Sequence, residues 1–146
     1  MRFWLTVAAI ALLVTLAARL GRRPERAVAL TLAASFAATV ANTALRGPQT
    51  FRWVDPTVFA IDATTWLMLC HVAMRANRLW PITVASFQTI VLIAHFSVFA
   101  HIGWKKVYWG MMAVSQYLQM LIVLWGILQH HVRERRIGRY RDWRWT

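Results

Sequence analysis

The chain has 146 residues, 59% of them apolar, and carries 17 Lys and Arg against 5 Asp and Glu. Its mean hydropathy of +0.45 is too oily for a soluble domain of this size. A soluble nucleic-acid binder would share the positive charge but not the long apolar runs, so nucleic acid is not an expected partner. Oil plus cation is the mixture of a helical inner-membrane protein, with apolar spans and basic connections.

The first run, residues 3–20, opens the chain as MRFWLTVAAIALLVTLAARL. Arg2, the apolar core and small Ala17 and Ala18 are the pattern of a signal peptide. GRRPER follows at once, and dense positive charge opposes translocation of that flank, so a retained first helix is expected. The second run, 25–45, follows Gly21 and Pro24. Its Ala33, Ala37 and Ala41 lie four apart, as do Ala34 and Ala38, a spacing that lets helix backbones approach closely. Thr31, Ser35, Thr39 and Asn42 add a weakly polar stripe, which places this helix centrally in a bundle. Gly47 and Pro48 end it.

The third run, 54–75, and the fourth, 80–102, carry Pro56 and Pro81 in their first turns, where a missing N–H costs nothing. Gly103 ends the fourth, and the fifth runs 107–130. Each is near the ~20 residues that cross ~30 Å of hydrocarbon. Short connections make consecutive helices antiparallel neighbours. The expected fold is therefore all-α: a five-helix transmembrane domain over 1–131 and a basic aromatic tail over 132–146. No second domain, linker or internal repeat is visible.

Counting cations orients the bundle. Arg19, Arg22, Arg23, Arg26, Arg75, Arg78 and six arginines of the tail fall on one side; Arg2, Arg46, Arg52, Lys105 and Lys106 on the other. That is twelve against five, which puts the C-terminus in the cytoplasm and the N-terminus outside. Of nine tryptophans, Trp4, Trp53, Trp80, Trp104 and Trp109 fall near ends of apolar runs, at headgroup level. Cys70 is the sole cysteine, so no internal disulfide forms, and it reads as a small apolar filler.

Within FAIDATTWLMLCH, Asp62 is the only carboxylate deep in the hydrocarbon; Asp55 lies one heptad earlier near the outer mouth. A carboxylate at a span centre costs about 2.5–3.5 kcal/mol on insertion scales. Asp62 must face the interior, protonated or paired. Folding spans three and four about residue 78 brings it near residue 94, one step from His95. Folding spans four and five about residue 105 brings Gln116 to that level. Asp62, His95 and Gln116, extended by Gln119 and Gln88, form the expected buried cluster. Two uses stay open: interhelical hydrogen bonds that fix register, about 0.6 kcal/mol each, or a proton relay or cation site.

A bis-histidine haem needs two imidazoles at one depth on opposite sides of the iron. His71 and His95 differ in depth by roughly 13 Å at the helical rise. His71 with His130 is the remaining candidate for haem or metal, and no cofactor is expected. Glycine-rich phosphate loops, zinc-binding pairs and nucleophile elbows are all absent, so no catalytic activity is expected.

The tail HHVRERRIGRYRDWRWT interleaves Arg133, Arg135, Arg136, Arg139, Arg141 and Arg144 with Tyr140 and Trp143. With Arg75, Arg78 and Trp80 of the loop RANRLWP, it reads as one inner surface for anionic headgroups or a partner subunit. RANRLWPITVASFQ, with a histidine one heptad after Gln88, resembles small uncharacterised inner-membrane proteins of Gram-negative bacteria over residues 71–95. That resemblance implies no activity and transfers no functional residue. The expectation is a non-catalytic accessory or assembly subunit of a membrane complex, or a homo-oligomer. The alternatives are a small proton- or cation-coupled carrier using Asp62, and a haem- or metal-binding subunit.

Overall fold

Proline and capping side chains set the helix starts. The computed structural model describes residues 2–47, 54–100, 104–138 and 141–143. Helix α1 spans Arg2–Leu20 and α2 spans Arg23–Arg46. Pro24 lies in the first turn of α2, and the Glu25 side chain accepts from the Arg22 N–H at 3.0 Å, satisfying a donor the helix leaves orphaned. Helix α3 spans Pro56–Arg75, with Asp55 as N-cap: its Oδ1 accepts from the N–H groups of Thr57 and Val58. Helix α4 spans Trp80–Ala94, continues as a 3₁₀ segment over His95–Ala100, and α5 spans Trp104–Ile137.

All five helices are long and apolar enough to cross a membrane. The main differences from the sequence expectation fall on the fourth and fifth runs, and α5 starts at Trp104 rather than residue 107. The fourth run is α-helical only to Ala94 and then tightens. The fifth does not stop at residue 130: α5 carries on through Arg133, Arg135 and Arg136, because arginine is a good helix former whatever its charge. Gly138, at φ +76°, ends it. The expected tail therefore starts as helix, and Asp142 and Trp143 then fold back against Ala76 and Asn77.

Consecutive helices pack side by side, and α1 closes the ring against α5. The tight core lies toward the end that holds the α1–α2 and α3–α4 connections. There Val28, Leu69, Val84, Val123 and Ile127 are fully buried. Trp80 is buried too, its indole lying on Gly126 of α5, where an added Cβ would stand 2.7 Å from the ring. The expectation that Trp80 meets lipid or a partner is corrected: the glycine leaves a flat place on α5 that the indole fills.

Helix α2 has the two or more helix neighbours expected of it. It packs on α1 and α3 and reaches α5, but Ala34, Ala37, Ala38 and Ala41 are exposed. Large apolar side chains such as Leu12, Leu30, Leu67, Ile93, Leu121 and Trp125 also face outward.

Candidate functional site

Asp62 is buried on α3, facing the hairpin that α3 makes with α4. His95 Nε2 lies 2.8 Å from Asp62 Oδ2. Gln88 donates from Nε2 to Asp62 Oδ1 at 3.3 Å and to the Asp62 carbonyl at 3.4 Å. Gln119 of α5 donates from Nε2 to Gln88 Oε1 at 2.9 Å and to the Val84 carbonyl at 3.2 Å. Backbone carbonyls only accept, so both amide orientations are fixed: each NH₂ faces a carbonyl, and each oxygen faces away from it. Phe59 and Tyr108 stand edge-on to the His95 ring, with centroids 5.6 and 5.8 Å away.

Four of the five residues grouped from sequence thus form one hydrogen-bonded chain from α3 through α4 to α5. Gln116 does not take the expected place. Helix α5 already begins at Trp104, so the α4–α5 fold pivots earlier than residue 105, and Gln119 comes opposite Gln88. Gln116 lines the adjoining space instead. Tyr108 was missed. Moving the same pivot three or four residues toward the N-terminus would have set it near His95.

Beside this chain lies a cavity of about 390 Å³. Asp62, Gln88 and Gln119 line it, and Ser35, Thr39 and Thr43 form a hydroxyl ladder along its α2 wall. Apart from Tyr108 and Gln116 the rest is apolar, notably Phe36, Val91, Trp109 and Met112. It occupies the half of the bundle where α2 ends and α3 and α5 begin, opposite the tight core.

A second polar group sits at the other end. Glu25, fully buried, pairs with Arg78 Nη1, and Arg78 Nη2 reaches Asp142 Oδ1 at 3.3 Å. Arg22 pairs with Glu134, whose other oxygen lies 3.3 Å from His130 Nε2. Arg22 also stands 4.0 Å from Asp142. This clasp ties the start of α2, the α3–α4 turn, the last turns of α5 and the tail together. It escaped the sequence reading, which gave the arginines of this end to anionic headgroups or a partner subunit. One signal was available: with five spans, both turns and the tail meet at one end, and three of the five acids fall there.

Arg78, expected to meet lipid or a partner, is turned inward because Glu25 would otherwise be a buried, unpaired carboxylate. Trp143 is half-buried against the core rather than free. Arg75, Arg133, Arg135, Arg136 and Arg141 are exposed. Arg139, Tyr140 and Arg144 lie outside the described residues, as does Trp53. His71 is exposed on α3, whereas His130 is buried beside Glu134, so the two imidazoles do not share one environment. Among the described residues, no group of three or more His, Cys, Asp or Glu is placed to hold a metal ion.

Comparison with known protein families, with curated proteins and with solved structures finds no match, so the chain is described by its own geometry: an all-helical bundle with five potential membrane spans, a closed polar chain beside a cavity at one end, and an ion-pair clasp at the other.

Proposed function

We propose that this chain is a multi-pass protein of a bacterial inner membrane, N-terminus outside and C-terminus cytoplasmic, that serves without catalysis as an accessory or assembly subunit of a membrane complex. The observation that carries the reading is the outer face of α2. Ala34, Ala37, Ala38 and Ala41 are exposed there. Lipid gives no reason to collect small side chains, whereas a second helix packs best on them. The exposed arginines at the clasp end support the orientation, each contributing about 1 kcal/mol on an anionic leaflet.

The test is the native mass of the protein extracted from its own membrane in mild detergent, with co-purifying chains identified. The expected result is an assembly of fixed stoichiometry that Ala37→Leu with Ala41→Leu breaks down without unfolding the subunit. A wild-type protein isolated only as a monomer would overturn the reading.

A second reading, a small proton- or cation-coupled carrier, is favoured by the cavity that meets Asp62. Its test is flux in proteoliposomes. Proton-dependent uptake that disappears in Asp62→Asn, with the fold retained, would support a carrier; loss of stability alone would return Asp62 to a packing role.

A further inference from the structure

We propose that the cavity beside Asp62 binds a lipophilic ammonium: a protonated amine carried on an apolar body, with the charge at Asp62 and the body among the apolar walls. The inference concerns binding alone and holds whether or not anything crosses the membrane.

Hydrogen-bond polarity makes the first part of the case. Gln119 spends both amide hydrogens on Val84 O and Gln88 Oε1, which leaves its own Oε1 as an acceptor. Thr39 and Thr43 spend their hydroxyl hydrogens on the carbonyls of Ser35 and Thr39, which leaves oxygen lone pairs. Asp62 receives Gln88 on one oxygen and meets His95 on the other; a carboxylate has about four acceptor positions, so it keeps capacity. All of these groups line the same cavity. Ser35 and Gln116 can donate or accept. The wall is thus rich in acceptors and suits a ligand that brings N–H donors.

Charge makes the second part. Among the described residues, Asp62 is the one acid lining the cavity, and a bound cation favours its carboxylate form in that buried setting. Phe36, Tyr108 and Trp109 line the same space, so a desolvated cation there stands among aromatic rings. Size makes the third. An engineered cavity of about 150 Å³ accepts benzene. This one, at about 390 Å³, has room for a phenyl ring with a short aminoalkyl chain.

The probes follow from that size: 4-phenylbutylammonium, its neutral isostere 4-phenylbutan-1-ol, and the anion 4-phenylbutanoate. Each is titrated calorimetrically into the full chain in zwitterionic nanodiscs, with empty nanodiscs subtracted. The expected result is saturable one-site binding of the ammonium, at least tenfold weaker binding of the alcohol, and none of the anion. Asp62→Asn should weaken the ammonium at least tenfold and leave the alcohol nearly unchanged. Should Asp62→Asn fail to fold, Val91→Phe keeps the carboxylate and fills the space, and it should abolish binding of ammonium and alcohol together. Equal binding of alcohol and ammonium, unchanged binding in a folded Asp62→Asn or Val91→Phe, or partitioning no greater than into empty nanodiscs would overturn the proposal.

Discussion

Glu25 and Arg78 are 53 positions apart in sequence, and each is buried against the other. Removing one member of such a pair leaves an uncompensated charge, at a cost of about 3–5 kcal/mol. Arg78→Met is therefore expected to lower stability by about that much, read as a shifted midpoint in reversible SDS or urea unfolding in micelles. Glu25→Leu combined with Arg78→Met should recover most of the loss, because an apolar pair leaves no buried carboxylate to satisfy. At this scale the two polar groups differ in how far the sequence revealed them. Asp62 and His95 stand out because each interrupts an apolar run, and one hairpin fold brings them together. Glu25 and Arg78 sit among many arginines, where pairing and solvation look alike. Only the return of both turns and the tail to one end separates the two.

At the scale of elements, starts and stops were legible wherever proline, glycine or a capping aspartate declares them. Asp55 caps α3 through two backbone N–H groups, and Asp55→Ala should cost about 1 kcal/mol, measured by the same unfolding titration. The α4–α5 join was less legible. A 3₁₀ segment rises about 2.0 Å per residue against 1.5 Å for the α-helix, and no residue type marks where one gives way to the other. The pairing register along α5 therefore shifted by about one turn, exchanging Gln116 for Gln119. Burial of Trp80 was hidden for a related reason: its partner is an absence of side chain at Gly126. Gly126→Ala should overpack this contact and cost about 1–3 kcal/mol. A blue-to-red shift in tryptophan emission that accompanies the lost stability would report the indole leaving its site; unchanged emission and stability would show that the contact is loose.

For the whole molecule, hydropathy and short connections carried the five-helix bundle, and neither says which half packs tightly. The core gathers at the clasp end and the cavity at the other, a division set by side-chain sizes on all five helices at once. The proposed orientation is testable on a Cys70→Ser background. Arg46→Cys should react with a membrane-impermeant maleimide in intact spheroplasts, and Arg141→Cys only after permeabilisation. The reverse pattern would invert the molecule.

The fate of the five carboxylates has one more consequence. Asp55 caps a helix, Asp62 joins the polar chain, and Glu25, Glu134 and Asp142 are held in the clasp. Each is already engaged within the chain, so the exterior presents cations almost alone. Two copies brought together at that end repel each other unless something anionic stands between them. Salt that shortens the Debye length to about 8 Å or less, or acidic lipid, should therefore act as mortar for any assembly, and a partner protein seated there must bring the negative charge itself.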